Sequence, residues 1–109
     1  MIDCNMNKRI GFTRQIESNS SAREQILSAA IGCVCGDREE DYGSPENNFE
    51  RIASFWNTYL GIDAIEPKDV AAMLALLKIA RIASGHAKTD NWIDLAGYAA
   101  CGGELEHTE

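Results

Sequence analysis

Lys78 and Arg81 stand three residues apart near the end of an almost wholly apolar stretch. Asp90 and Asp94 follow four apart, with Trp92 between them and Tyr98 one turn beyond. Residues at these spacings share a helix face, and the linker between the two stretches is short and contains Gly85. Two antiparallel helices would set the cations opposite the carboxylates. Burying an unpaired charge costs several kcal/mol, so each of these groups must find a partner. One reading is an interhelical salt-bridge cluster that fixes the hairpin. The other is a polar pocket in which the cations meet phosphates while Trp92, Tyr98 or Tyr42 stacks on a base.

A second constellation is Arg38, Asp41, Tyr42, Gly43 and Asn48. It reads equally as a turn before a helix, with Tyr42 covering the core edge, or as a ligand-binding turn. In the latter case Asn48 bonds a base edge and the following helix N-terminus receives an anion. Asp41, Glu46, Glu50, Asp90 and Asp94 are the carboxylates from which a magnesium-dependent hydrolase could be assembled. Glu46 and Glu50 share one face and Asp90 and Asp94 another, a spacing that acidic surface helices also produce. No metal ligand is assigned on this basis. The sequence holds no nucleophile elbow, Walker loop, dinucleotide-binding glycine motif or HExxH.

The 109 residues suffice for one domain, and apolar residues make up 45% of them. A net charge of −7 argues against wrapping DNA or RNA, which takes many cations. It leaves room for one small phosphorylated ligand held by a few local cations. The cysteines at 4, 33, 35 and 101 form no C-x-x-C pair, so buried thiols in a reducing compartment are expected. The first residues contain no apolar core run of a signal peptide, and no segment has the length of a membrane span. A cytoplasmic protein with no membrane partner is the expectation.

Four helices must position these groups. Ser21-Ala-Arg-Glu24 is a capping box that opens the first, predicted over 22–35, with Ile26, Leu27, Ala30, Ile31 and Val34 on one face. Ser44-Pro45 opens the second, over 45–60, carrying a stripe of Phe49, Ile52, Ala53, Trp56, Tyr59 and Leu60. Glu66-Pro67 opens the third, which is apolar nearly all round from Val70 to Ala83 except for Lys78 and Arg81 and is therefore expected at the centre. Thr89 or Asp90 opens the fourth, with Trp92, Leu95, Ala96 and Ala99 on one face. Gly97, Gly102 and Gly103 in it imply close helix contact or, for the last two, termination. The expected architecture is an all-α, antiparallel four-helix bundle over residues 21–104, preceded by an arm at 1–20 and followed by an acidic tail at 105–109. Helices apolar on more than one face imply a homo-oligomer.

Asp41-Tyr42-Gly43, Asn48-Phe49, Leu77-Lys78-Ile79-Ala80-Arg81 and Asp90-Asn91-Trp92-Ile93-Asp94-Leu95-Ala96-Gly97-Tyr98 resemble an uncharacterised phage and prophage helical family over roughly residues 23–104. At the level of the Asp-Tyr-Gly turn, the Lys/Arg helix and the Asp-rich helix, the chain is similar to phage nucleotide-modification-associated domains. More distantly it is similar to MazG-like all-α nucleoside triphosphate pyrophosphohydrolases. It departs from the latter where Gly43 follows Glu39-Glu40 and where Asp90 and Asp94 are four apart instead of three. The Lys/Arg/aromatic/Asn set, the incomplete metal site and the phage-type resemblance together lead to the expectation of a phage-type protein that sequesters a nucleotide-like molecule, such as a host immune signal. On that reading no cofactor is expected, and Arg38, Asp41, Tyr42, Asn48, Lys78, Arg81, Asp90, Trp92, Asp94 and Tyr98 are the ligand-binding candidates. The alternatives are a magnesium-dependent pyrophosphohydrolase of MazG-like type and an interaction bundle without a ligand.

Overall fold

The computed structural model describes residues 20–36, 45–85 and 88–107. These form four helices, α1 (Ala22–Cys35), α2 (Pro45–Leu60), α3 (Pro67–Ala83) and α4 (Thr89–His107), with no strand among the described residues. Most of the proposed arm, and Arg38, Asp41 and Tyr42, lie outside the described residues.

The helix starts follow from local chemistry. Ser21 and Glu24 close a reciprocal capping box, the Glu24 carboxylate accepting from the Ser21 N–H at 2.7 Å and the Ser21 hydroxyl from the Glu24 N–H at 3.2 Å. At α3, the Asp69 carboxylate accepts from the Glu66 N–H at 2.9 Å, an anion placed where the helix dipole favours it. Asn57 organises the α2–α3 connection. Its Oδ1 accepts from the Ala64 and Ile65 N–H groups at 3.2 and 2.9 Å, and its Nδ2 donates to the Ile65 carbonyl at 3.0 Å. Gly61, at φ 70°, supplies the left-handed turn that lets the chain leave α2.

The helix that all the others meet is α4, not α3. One side of it carries Tyr98, Cys101 and Leu105 into a core shared with Phe49 and Ala53 of α2 and Val70, Ala71 and Leu74 of α3. A second side carries Ile93 against Ala29, Ala30 and Cys33 of α1. Of the expected face of Trp92, Leu95, Ala96 and Ala99, Ala96 packs against the α1 side, Leu95 is half-buried, and Trp92 and Ala99 are exposed. Likewise α1 buries its small residues and leaves Leu27 and Ile31 in solvent. The approach is close at Gly97, where a Cβ would stand 3.0 Å from Val34 Cγ1. Cys33, expected as a thiol, is disulfide-bonded, whereas Cys35 and Cys101 are in no disulfide.

α4 also continues through Gly102 and Gly103 to His107. Leu105 is buried in the main core, and Glu106 pairs with Lys68 at 3.1 Å. Of the two glycines only Gly102 meets a neighbour: a Cβ there would lie 3.3 Å from Ala71 Cβ, whereas around Gly103 the space is open.

This contrast sets a prediction. Gly103→Ala stabilises the domain by roughly 1 kcal/mol, the helix-propensity gain with no steric penalty. Gly97→Leu destabilises it by about 1–3 kcal/mol by forcing α1 away from α4. Thermal unfolding followed by circular dichroism reads both. Equal shifts of the same sign would contradict the close α1–α4 contact.

Candidate functional site

Three contacts fix how α3 and α4 lie together. Lys68 meets Glu106 at 3.1 Å, a Cβ on Gly102 would meet Ala71, and Lys78 meets Asp94 at 3.0 Å. Residue numbers rise along one helix as they fall along the other, so the hairpin is antiparallel over most of its length. The side chains at 70, 71, 74 and 78 recur at three- and four-residue intervals on the inward side of α3. Lys78 thus occupies a core position one turn beyond Leu74 and is 0% exposed. Its stem is apolar and its ammonium ends on Asp94 Oδ2, whose side chain is 4% exposed.

On α4 the same inward side reads Asn91, Asp94, Tyr98, Cys101 and Leu105, all buried. The face is apolar toward its C-terminal end and polar toward its N-terminal end. Asn91, Asp94 and Lys78 together form the buried polar group of the described core. Tyr98 marks the boundary: its ring packs at 6.5 Å and 44° against that of Phe49, which ties α2 to the edge of the polar group. Asn48, next to Phe49, is half-buried.

The candidates therefore divide. Lys78 and Asp94 are brought into contact, and Tyr98 and Asn91 are buried on the same side of α4 as Asp94, Asn91 although its type and spacing drew no attention beforehand. The available signal was its position three residues before Asp94, which puts it on the same face. Asp90 is half-buried in the first turn of α4. Arg81 is exposed, but at 3.6 residues per turn it projects from the side of α3 that carries Leu74 and Lys78. It stands one turn beyond Lys78. Trp92 is 47% exposed and projects away from the side of α4 shared by Asn91, Asp94 and Tyr98. The fold does not bring it to the ion pair. Of the carboxylates considered for magnesium, Glu46 and Glu50 are exposed on α2. Among the described residues no three His, Cys, Asp or Glu side chains cluster in a way that could hold a metal ion. No described helix is long and apolar enough to cross a membrane.

The group is thus a buried cation–carboxylate pair with a buried amide on the same side of α4, at one end of a helical hairpin. The family described as Domain of unknown function (DUF6378) matches residues 25–106, which span the end of α1's first turn to the last turn of α4. The chain belongs to the DUF6378 family. Two of its relatives are phage proteins. The Gene 55 protein of Mycobacterium phage L5 is 43% identical over 74 residues, 68% of this chain and 47% of that protein. The Gene 55 protein of Mycobacterium phage D29 is 40% identical over 78 residues, 72% of this chain and 51% of its own length. This DUF6378 chain spans about half the length of the curated relatives it matches. No solved structure matches it.

Proposed function

We propose that this DUF6378 protein binds a nucleotide-like small molecule at the polar end of the α3–α4 hairpin and holds it without turnover. The observation that carries the reading is the buried set of Lys78, Asp94 and Asn91 in a core that is otherwise apolar. A buried ion pair contributes less to stability than well-packed apolar residues of the same volume, so its presence calls for a further use. Desolvated charges held in fixed geometry are also what specific ligand recognition requires. Arg81 supplies a guanidinium suited to bidentate phosphate contact, and Asn91 offers both a donor and an acceptor to a base edge. The phage relatives give the reading a biological setting: a phage protein of this kind withdraws a host signalling nucleotide from solution.

The test is incubation with a panel of linear and cyclic nucleotides plus magnesium, followed by mass spectrometry of the filtrate before and after the protein is denatured. A nucleotide recovered intact only after denaturation supports sequestration. New products would replace the reading with magnesium-dependent hydrolysis of the MazG-like kind. A panel that stays free and unchanged would leave a bundle whose partners are proteins. Within the first outcome, Arg81→Ala should weaken binding by at least about tenfold, the loss of one charge-assisted contact, with the circular dichroism spectrum unchanged. Because Arg81 is exposed, its replacement separates binding from folding in a way that replacement of the buried Lys78 cannot.

A further inference from the structure

Cys33 is disulfide-bonded, Cys35 and Cys101 are in no disulfide, and the sequence holds one further cysteine, Cys4. Within one chain the partner of Cys33 is therefore Cys4. The bond fixes both ends of the stretch that precedes α1, because Ser21 caps the start of that helix and Cys33 lies in its last turn. Along the helix the two anchors are about 18 Å apart at 1.5 Å per residue. Extended, the chain from Cys4 to Ser21 reaches roughly three times as far, so it can return beside α1 with slack. The inward side of α1 is taken up by α4, where Ala29, Ala30 and Cys33 pack on Ile93. Its outward side carries Glu24, Leu27, Ile31 and Cys35, all exposed, Leu27 and Ile31 at 58% each.

We propose that the segment 5–19, which lies outside the described residues, is a redox-sensitive strap that the Cys4–Cys33 disulfide closes over the outward side of α1. Its charge suits that place. Lys8, Arg9 and Arg14 give the stretch from Lys8 to Ile16 three cations and no acid, in a chain whose net charge is −7. Such a stretch is drawn to the acidic surface of its own chain, Glu24 on this side of α1 included. Its apolar residues suit the place as well. Ile10 and Phe12 stand two apart, on one face of an extended chain, and offer cover to Leu27 and Ile31. Anchoring at both ends raises the local concentration of the segment far above that of a free partner at micromolar levels. Closure is a thiol–disulfide exchange with glutathione disulfide. The two protein thiols are oxidised to one disulfide, glutathione disulfide is reduced, and the two protons leave on two glutathione thiols. Neither Lys78 nor Asp94 takes part, so the strap stands or falls apart from the ligand reading.

The test equilibrates the full chain with glutathione buffers of graded thiol-to-disulfide ratio, quenches with acid, alkylates the denatured chain and maps its peptides by mass spectrometry. A Cys4–Cys33 peptide that appears as the buffer turns oxidising, with Cys35 and Cys101 alkylated throughout, supports the bond. Phe12→Ser reads the cover on α1. It should lower the equilibrium constant for closure about tenfold, the worth of one lost apolar contact, and Ile31→Ser should match it. Unchanged helical circular dichroism in both variants excludes unfolding as the cause. Cys4 and Cys33 thiols that stay alkylated at every ratio would overturn the strap. A Cys33 link to a second chain would overturn it too, by replacing the strap with a covalent dimer. So would a closure constant that Phe12→Ser and Ile31→Ser leave unchanged, since the segment would then not lie on this side of α1.

Discussion

Lys78→Met destabilises this domain by about 3–5 kcal/mol, the typical result of removing one partner of a buried ion pair. The substitution keeps the length of the side chain and most of its apolar contacts, so the loss is electrostatic and not a cavity effect. Lys78 is 0% exposed and meets Asp94 at 3.0 Å, and without the cation the Asp94 carboxylate is held in a core with little water to solvate it. Asp94→Leu alone strands the ammonium instead and is destabilising in the same range. The double variant Lys78→Met/Asp94→Leu recovers most of the loss, because apolar replacement of both partners restores a packed core. Urea unfolding of the four proteins closes this cycle and gives the coupling between the two positions. Near-additive single effects would show that the pair does not act as a unit. A Lys78→Met protein with wild-type stability but no nucleotide affinity would make Lys78 a ligand group whose partner in the free protein matters little. If the double variant is stable and still fails to bind a nucleotide that the wild type sequesters, the pair contributes recognition more than stability.

The helix ends were legible because they are written in short-range chemistry. Ser21 with Glu24, Pro45, Pro67 with Asp69, and Gly61 each act within one turn, and the helices begin and end within a residue or two of the expected places. The exception is the C-terminus of α4. Gly102 and Gly103 read locally as a stop, but Leu105 in the core and Glu106 on Lys68 reward one more turn. The pairing of Lys78 with Asp94 was also within reach, since three- and four-residue spacing on two helices joined by a short loop leaves few arrangements. What local pattern could not settle was which side of each helix turns inward. On α1 the expected face of Ile26, Leu27, Ala30, Ile31 and Val34 holds in part: Ala30 is buried and Ile26 and Val34 pack against the core, whereas Leu27 and Ile31 are exposed and Ala29 and Cys33 are buried instead. Part of that choice lies on another helix, where Gly97 lets α4 come close to Val34. On α3, apolar on all sides, periodicity carried no directional information at all. The central position expected of it went instead to α4, whose two glycine- and alanine-bearing sides can receive neighbours. Trp92 misled for a related reason: a large aromatic residue looked like a core or stacking residue, and the helix turns it to solvent while burying Asn91.

Phe49→Ala carries the other large effect, also about 3–5 kcal/mol, as expected for emptying a fully buried aromatic site. Phe49 is the largest side chain among those wholly withdrawn from solvent. It inserts from α2 between Val70, Leu74 and Tyr98, and its ring lies 6.5 Å from that of Tyr98. The other buried α2 residue in this core is Ala53, with Ile52 and Trp56 packed against its edge and only partly buried. The loss should therefore be local before it is global. Hydrogen exchange in Phe49→Ala should speed up first in α2, while α3 and α4, joined along their length by Lys68–Glu106, Ala71–Gly102 and Lys78–Asp94, keep their protection longest. Trp56, half-buried on the same helix, gives a second readout, since its fluorescence should shift to the red as α2 loosens. Phe49→Leu, which retains much of the volume, should cost only about 1 kcal/mol and leave the exchange pattern intact. Uniform acceleration over all four helices would mean that α2 is part of a single cooperative unit with the hairpin. In that case Phe49 does more than dock one helix: it holds the edge against which Tyr98, and through it the polar group around Asp94, is set.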